Sequence, residues 1–314
     1  MGKKLTVIMT AMLMLSSQMA KAQFDVQFSD FTSFKSFYNP AASGTDGLLN
    51  VQLAYSIQFA GYDDAPTTMF FGGDLPIYFL SPRHGAGINL MSDNIGIFST
   101  QRIAVQYAYN MKIGEKGRLA IGVQGSMLNE KIDPGDMKLE DGNDPAFPTS
   151  SVDGKSFDLG AGLYYYHPKF WAGLSAQHLL QPSVEMGATY QIDIESMYYF
   201  MGGCNIKLKN TLFTLQPAVM VQTNLLNWRE DIQCKAIYEY EGKKFFGGIG
   251  YSPKTSVTAL IGGNFHGVQL NYSYQLYTQG VGIQNGTHEI VMSYQTDLDL
   301  FKKGRNKHKS ARFL

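Results

Sequence analysis

Cysteine is scarce in this 314-residue chain, which has two, Cys204 and Cys234. Two thiols cannot make a disulfide framework for a chain of this length. Each falls in the apolar register of its own segment, so both read as apolar-facing thiols rather than as a bridge or a metal site. Charge is thin as well, at 17% of residues, and sums to zero. A nucleic-acid-binding face is therefore not expected, because the Lys/Arg clusters sit only at the chain ends. After residue 22 no apolar run approaches the roughly 20 residues that a membrane-crossing helix needs. The motifs GxSxG, HExxH and CxxC and the P-loop are missing, and the six histidines share no ligand spacing. No enzyme, metal or cofactor chemistry is indicated, and the expectation is a non-enzyme with none of these.

What is plentiful is glycine, tyrosine and phenylalanine (33, 19 and 20 residues), within 44% hydrophobic content. The start of the chain, MGKKLTVIMTAMLMLSSQMAKAQ, has a positive end, an apolar stretch from Leu5 to Leu15 and a small-x-small site at Ala20-Lys21-Ala22. This reads as a secretory signal peptide over residues 1–22, removed at about Ala22/Gln23. The mature chain is thus periplasmic, secreted or held in an outer membrane.

From Leu49 onward the dominant pattern is alternation, the mark of strands with one apolar and one polar face. Leu49, Val51, Leu53, Tyr55, Ile57 and Phe59 interleave with Asn50, Gln52, Ala54, Ser56 and Gln58. The pattern returns around Ile103–Tyr109, Leu119–Val123, Phe157–Tyr165, Tyr272–Leu276 and His288–Tyr294, and more weakly over 67–75, 85–92, 170–178, 197–208, 212–222, 231–240, 244–252 and 256–263. That gives about fourteen strands, most near the 9–11 residues that a tilted strand needs to cross the hydrocarbon band. The expectation is all-β: a single outer-membrane β-barrel over residues 48–298, antiparallel, with both termini periplasmic. Brief turns are expected on the periplasmic side at Gly114–Gly117, His167–Lys169, Lys209-Asn210, Glu241–Lys243 and Gly262–Asn264, with the longer PIYFLSPRH (residues 76–84) as an aromatic lip.

Outside the strands, residues 23–47 form an aromatic periplasmic segment. Its Phe24, Phe28, Phe31, Phe34, Phe37 and Tyr38 recur every three or four residues, which suits a short amphipathic helix or a strap on the barrel rim. The acidic loop over 129–155, with Asp133, Asp136, Glu140, Asp141, Asp144 and Asp153, lacks EF-hand spacing; it reads as a solvated surface loop, with calcium or a partner as the alternatives. The basic tail, residues 299–314, carries six Lys/Arg and reads either as an electrostatic contact with an acidic partner or headgroups or as a solubilising end. An inward set rich in Gln, Asn, Ser and Gly, with few charges such as Arg102, Asp158, Lys235 and Glu289, does not make the charged constriction of a diffusion porin.

FYNPAASGTDG (37–47), DAPTTMFFGGDLP (64–76), NDPAFPTSSVDGKSFDLGAGLYYYHPKFWAGLSAQHLLQP (143–182) and NYSYQLYTQGVGIQNGTHEI (271–290) together, in this order, resemble the PorP/SprF outer-membrane proteins of the Bacteroidetes type IX secretion system. One departure is at Ser56-Ile57-Gln58-Phe59, where that family tends to carry an Arg and a Trp. The resemblance implies a role in secretion and surface anchoring of a large, adhesin-like cargo with a type B C-terminal sorting domain. It implies partners in that cargo domain and in periplasmic and outer-membrane secretion components, within the lipid bilayer and without nucleic acid. A passive channel or small-molecule transporter is the alternative. Candidate seam or partner-binding residues are His288 and Glu289, opening the last strand, with Ala65, Pro66 and Thr67 nearby, Asp144 and Pro145 in the acidic loop, and Tyr38, Asn39 and Pro40.

Overall fold

The computed structural model describes residues 25–77, 83–135, 148, 150–187, 190–209, 212–279 and 285–297. Its strands are β1 Leu49–Ile57, β2 Thr67–Pro76, β3 His84–Ile95, β4 Phe98–Ile113, β5 Gly117–Ile132, β6 Val152–His167 and β7 Phe170–Gln177. There follow a small hairpin, β8 Ser183–Met186 and β9 Tyr190–Asp193, then β10 Met197–Cys204 with its continuation β11 Ile206–Lys207. The remainder are β12 Phe213–Thr223, β13 Trp228–Tyr240, β14 Lys243–Ser252, β15 Ser256–Phe265, β16 Val268–Tyr277 and β17 Thr287–Thr296. β10 and β11 both pair with β12, so with β8–β9 set aside the sheet is a ring of 14 antiparallel staves. β1 closes on β17 in the register Leu49↔Thr296 to Ile57↔His288, which leaves the ring no free edge.

Alternation puts the two residue sets on opposite faces of every stave. On β4, Ile103 and Val105 are 53% and 61% exposed, while Arg102 and Gln106 are 2% exposed. The apolar set faces outward and the polar set faces the lumen, the inverse of a soluble protein. An outward residue deep in the band should not tolerate charge. Ile249→Arg on β14 (Ile249 is 69% exposed) is expected to destabilise the barrel by up to about 2–4 kcal/mol, the cost of an arginine at the bilayer midplane. The readout is the temperature at which the folded barrel's fast gel mobility is lost.

All strand connections belong to one of two mouths. β1 starts and β17 ends at the first mouth, where the connections include Gly114–Lys116, Pro168-Lys169, Glu241-Gly242 and His266-Gly267. The opposite mouth carries the two longest connections, 133–151 and 178–196, together with 58–66 and 278–286. The hairpin β8–β9 stands there on its own small core, in which Val184 and Met186 pack on Ile132, Val152 and Tyr190.

Three expectations are corrected. The turn expected at Gly262–Asn264 is strand: β15 runs on to Phe265, and the chain reverses at His266 and Gly267, both with positive φ (53° and 86°). The glycine there serves packing, because the Phe246 ring of β14 lies where a side chain on Gly262 would be. β1 ends at Ile57, before Phe59, whose φ of 52° turns its ring onto Tyr277 at 4.7 Å between centroids. The aromatic N-terminal segment is neither one amphipathic helix nor a strap on the rim. It forms three single turns, Phe31–Ser33, Lys35–Tyr38 and Pro40–Ala42, inside the barrel. The helical turns are broken at Phe34 (φ −108°) and Asn39 (φ −139°), so no continuous helical stripe forms. The middle residues of PIYFLSPRH, residues 136–147 and 149 of the acidic loop, the signal peptide and the basic tail lie outside the described residues, and the ends of that loop, 129–132 and 152–155, belong to β5 and β6.

Candidate functional site

The lumen is occupied by residues 25–47. Phe28, Phe31, Phe34, Phe37 and Tyr38 are all 5% exposed or less and form its apolar centre with Phe70, Tyr199, Met201 and Met220 from the wall. Phe28 stacks on Phe34 at 3.7 Å between centroids, and Phe37 meets Phe70 edge-on at 5.5 Å. Each such pair adds about 0.5–1.5 kcal/mol beyond the burial of its area.

A segment without continuous helix needs other partners for its backbone. The polar residues of the wall provide them. Gln177 donates to the carbonyls of Phe37 and Tyr38 (2.8 and 3.1 Å), Ser175 to that of Tyr38 (2.7 Å), and Gln106 to that of Ser36 (2.7 Å). Asn39 reaches the carbonyls of Leu163 and Leu174 (2.9 and 3.2 Å), and its own Oδ1 accepts from the Ala41 N–H (2.9 Å). Two inward strand positions are glycine because of this approach. A Cβ on Gly122 would enter the backbone of Pro40-Ala41, and one on Gly162 would strike the Asn39 amide.

Three polar attachments fix the segment. At the long-loop mouth the Asp25 carboxylate meets His178 Nε2 at 3.0 Å and accepts from the Tyr199 hydroxyl at 2.6 Å, while His178 Nδ1 lies 2.8 Å from Asp158. At mid-depth Lys235 pairs with Asp30 at 2.6 Å, and Gln233 donates to the same carboxylate at 2.9 Å. Beside it the N–H groups of Ser29 and Asp30 donate to Glu289 at 2.8 and 3.2 Å. Arg102 covers the Phe37 ring at 4.4 Å and donates to Gln177 at 2.6 Å.

Burial alone would drive His178 down and Asp25 up, but their mutual charge prevails. His178 is raised to about 9, helped by Asp158, and Asp25 is held below the usual carboxylate range. Arg102, Tyr199 and Glu130 also face the pair. The raised histidine contributes stability that is complete below its unfolded value of about 6.5 and is lost as pH rises through about 9. The lowered Asp25 contributes above about 3.8 and loses its contribution as pH falls further. Thermal resistance of the folded barrel should therefore decline between pH 6.5 and 9.5, and His178→Gln should flatten that slope.

Among the candidates, Tyr38, Asn39 and Pro40 lie buried in the lumen segment. Glu289 faces inward with 0% exposure, opposite Ser56 and Ser273. His288 faces outward and bonds the Tyr272 hydroxyl at 2.8 Å. Ala65 and Pro66 sit in the β1–β2 connection, where the Pro66 carbonyl accepts from Gln58 N–H at 2.8 Å, and Thr67 pairs with Ile57 and Asn94. Asp144 and Pro145 are outside the described residues. The structure thus joins Glu289 to the segment containing Tyr38–Pro40, while His288 is on the other face. Glu289→Gln leaves one carbonyl oxygen where a carboxylate receives two N–H donors, and should cost about 1–3 kcal/mol in thermal resistance.

Asp25, Asp30 and His178 were not legible as site residues. Alternation points His178 toward lipid, because Ser175 and Gln177 face inward; its φ of 56° reverses the ring. At the first mouth a cavity of about 480 Å³ remains, lined by Lys35, Asp46, Asp74, Tyr166, Trp171 and Lys235 among others. There the Lys35 ammonium lies 4.3 Å over the Trp171 ring. Among the described residues no group of three or more His, Cys, Asp or Glu could hold a metal ion.

Residues 20–294 match the family model described as type IX secretion system membrane protein PorP/SprF. The chain belongs to the PorP/SprF family. Membership places this PorP/SprF protein among the membrane components of type IX secretion. Among solved structures it is similar to a FadL homologue from Pseudomonas aeruginosa, with TM-score 0.51 and 11% identity over 83% of this chain and 92% of that one. It is also similar to the CymD monoaromatic hydrocarbon channel (TM-score 0.45, 11% identity, 83% and 91% covered) and to Omp33 of Acinetobacter baumannii (0.44, 5%, 79% and 98%). At 11% identity the likeness to the FadL homologue is one of fold, that of an outer-membrane barrel. No curated protein matches.

Proposed function

We propose that this PorP/SprF barrel is a non-enzymatic accessory of type IX secretion that secretes and anchors at the surface one large, adhesin-like cargo bearing a type B C-terminal sorting domain. The observation that carries the reading, beside family membership, is the filled lumen. A barrel whose bore is taken up by its own buried aromatic segment is built to hold something at its mouths, not to pass solutes. The mouth with the short turns faces the periplasm in this reading, and the long-loop mouth faces outward. Partners are then the cargo domain and the secretion components of periplasm and outer membrane, with the basic residues 299–314 available to an acidic periplasmic surface. Signal peptide removal at about Ala22/Gln23 belongs to the same proposal. The acidic connection 133–151 and the rim residues Ala65–Thr67 are the cargo-facing candidates. The test is deletion of this chain in its own cell: surface display of one large secreted protein should be lost with small-solute permeability unchanged. Normal display of all such proteins in the deletion strain would remove the reading.

A further inference from the structure

The order of contacts along residues 25–46 follows the barrel axis. Asp25 bonds His178, just past the end of β7, and Tyr199, near the start of β10; both lie at the long-loop mouth. Ser29 reaches Glu289, near the start of β17, and Gln275, near the end of β16, slightly deeper from the same mouth. Asp30 meets Gln233 and Lys235 in the middle of β13. Ala41 crosses Gly122, close to the start of β5 at the other mouth. Gly44 N–H then donates to Asp74 at 2.7 Å near the end of β2, and Asp46 accepts from Asn50 at the start of β1. The chain therefore enters at the long-loop mouth and leaves at the short-turn mouth, where β1 begins.

We propose that this segment is a through-lumen pass that displays the N-terminal end of the processed chain at the long-loop mouth, opposite the mouth from which the C-terminal end departs. An even-stranded barrel ordinarily keeps both ends on one side; one extra crossing through the bore separates them. It departs from the expectation of two periplasmic termini, and it rests on the orientation proposed above for the statement that the long-loop mouth is the cell surface. Its aromatic centre packs on both sides of the seam, through Ala54 of β1 and Val291 of β17.

The experiment places one epitope after Gln23, after Asp63 in the β1–β2 connection, or after Leu314, and measures antibody binding to intact and to permeabilised cells. The Gln23 and Asp63 tags should bind in intact cells and the Leu314 tag only after permeabilisation. An Asp63 tag that binds while the Gln23 tag stays protected overturns the pass. If Asp63 is protected and Leu314 binds, the orientation fails, and the pass stands only if the Gln23 tag sides with Asp63. Should a tag at Gln23 disturb folding, Gln27→Cys and Asp46→Cys in a Cys204→Ser, Cys234→Ser background serve instead. An impermeant maleimide should label the first in intact cells and the second only after permeabilisation; the reverse overturns the pass.

Discussion

A chain lacking residues 28–44 should conduct ions where the intact chain does not. In planar bilayers the intact protein is expected to give no steady current, because a core of Phe28, Phe31, Phe34, Phe37 and Tyr38 closes the bore. Fourteen staves form a ring wider than the eight-stranded barrels whose interiors side chains fill by themselves, and smaller than the 16–18-stranded porins that leave an aqueous channel. Without the segment, the remaining wall is lined by Gln, Asn and Ser, a surface that water wets. Stable open steps should then replace a flat baseline. The deletion removes much of the apolar core, so folding is checked by heat-modifiable gel mobility. Gly122→Val with Gly162→Val offers a second route, since both Cβ positions fall on Pro40–Ala41 and Asn39 while the ladder hydrogen bonds of β5 and β6 are untouched. Folded variants of both kinds that stay as silent as the intact chain would show that the segment does not seal the lumen. An intact protein with large steady conductance would favour the channel alternative.

Fourteen staves, their order and their inward and outward faces were legible because lipid outside and polar groups inside impose the same period-two pattern on every strand. The inward charges Arg102, Asp158, Lys235 and Glu289 came from the same pattern, and all four are buried inside. Where a residue left the strand conformation, alternation misled. His178 and Phe59, each with positive φ, are the instances. The place of the aromatic segment was not legible from its own spacing, since an aromatic stretch covered on both sides looks the same beneath a barrel as within one. The sign lay elsewhere, in glycines at inward positions: Gly122 and Gly162 hollow the wall where Pro40-Ala41 and Asn39 press against it. Glu289 was legible as an inward group near the seam, but its partners, the N–H groups of Ser29 and Asp30, are some 260 residues away in sequence.

Asp30→Asn should be among the most destabilising single substitutions in the chain, lowering stability by about 3–5 kcal/mol, the usual result of removing one partner from a buried ion pair. Asp30 and Lys235 are 1% and 7% exposed, and the Lys235 ammonium otherwise lies over the Phe246 ring at 4.9 Å, so among the described residues the charge left behind has no other carboxylate in contact. The carboxylate also accepts from Gln233, Thr32 and Ser33, and an amide can keep part of that set. Adding Lys235→Met should recover most of the stability, because a buried pair replaced by groups without charge is often close to neutral. If Asp30→Asn alone leaves the melting of the folded barrel unchanged, the lumen segment is not held at mid-depth by this pair, and the aromatic centre, the Asp25–His178 contact and the wall donors Gln106, Ser175 and Gln177 hold it instead.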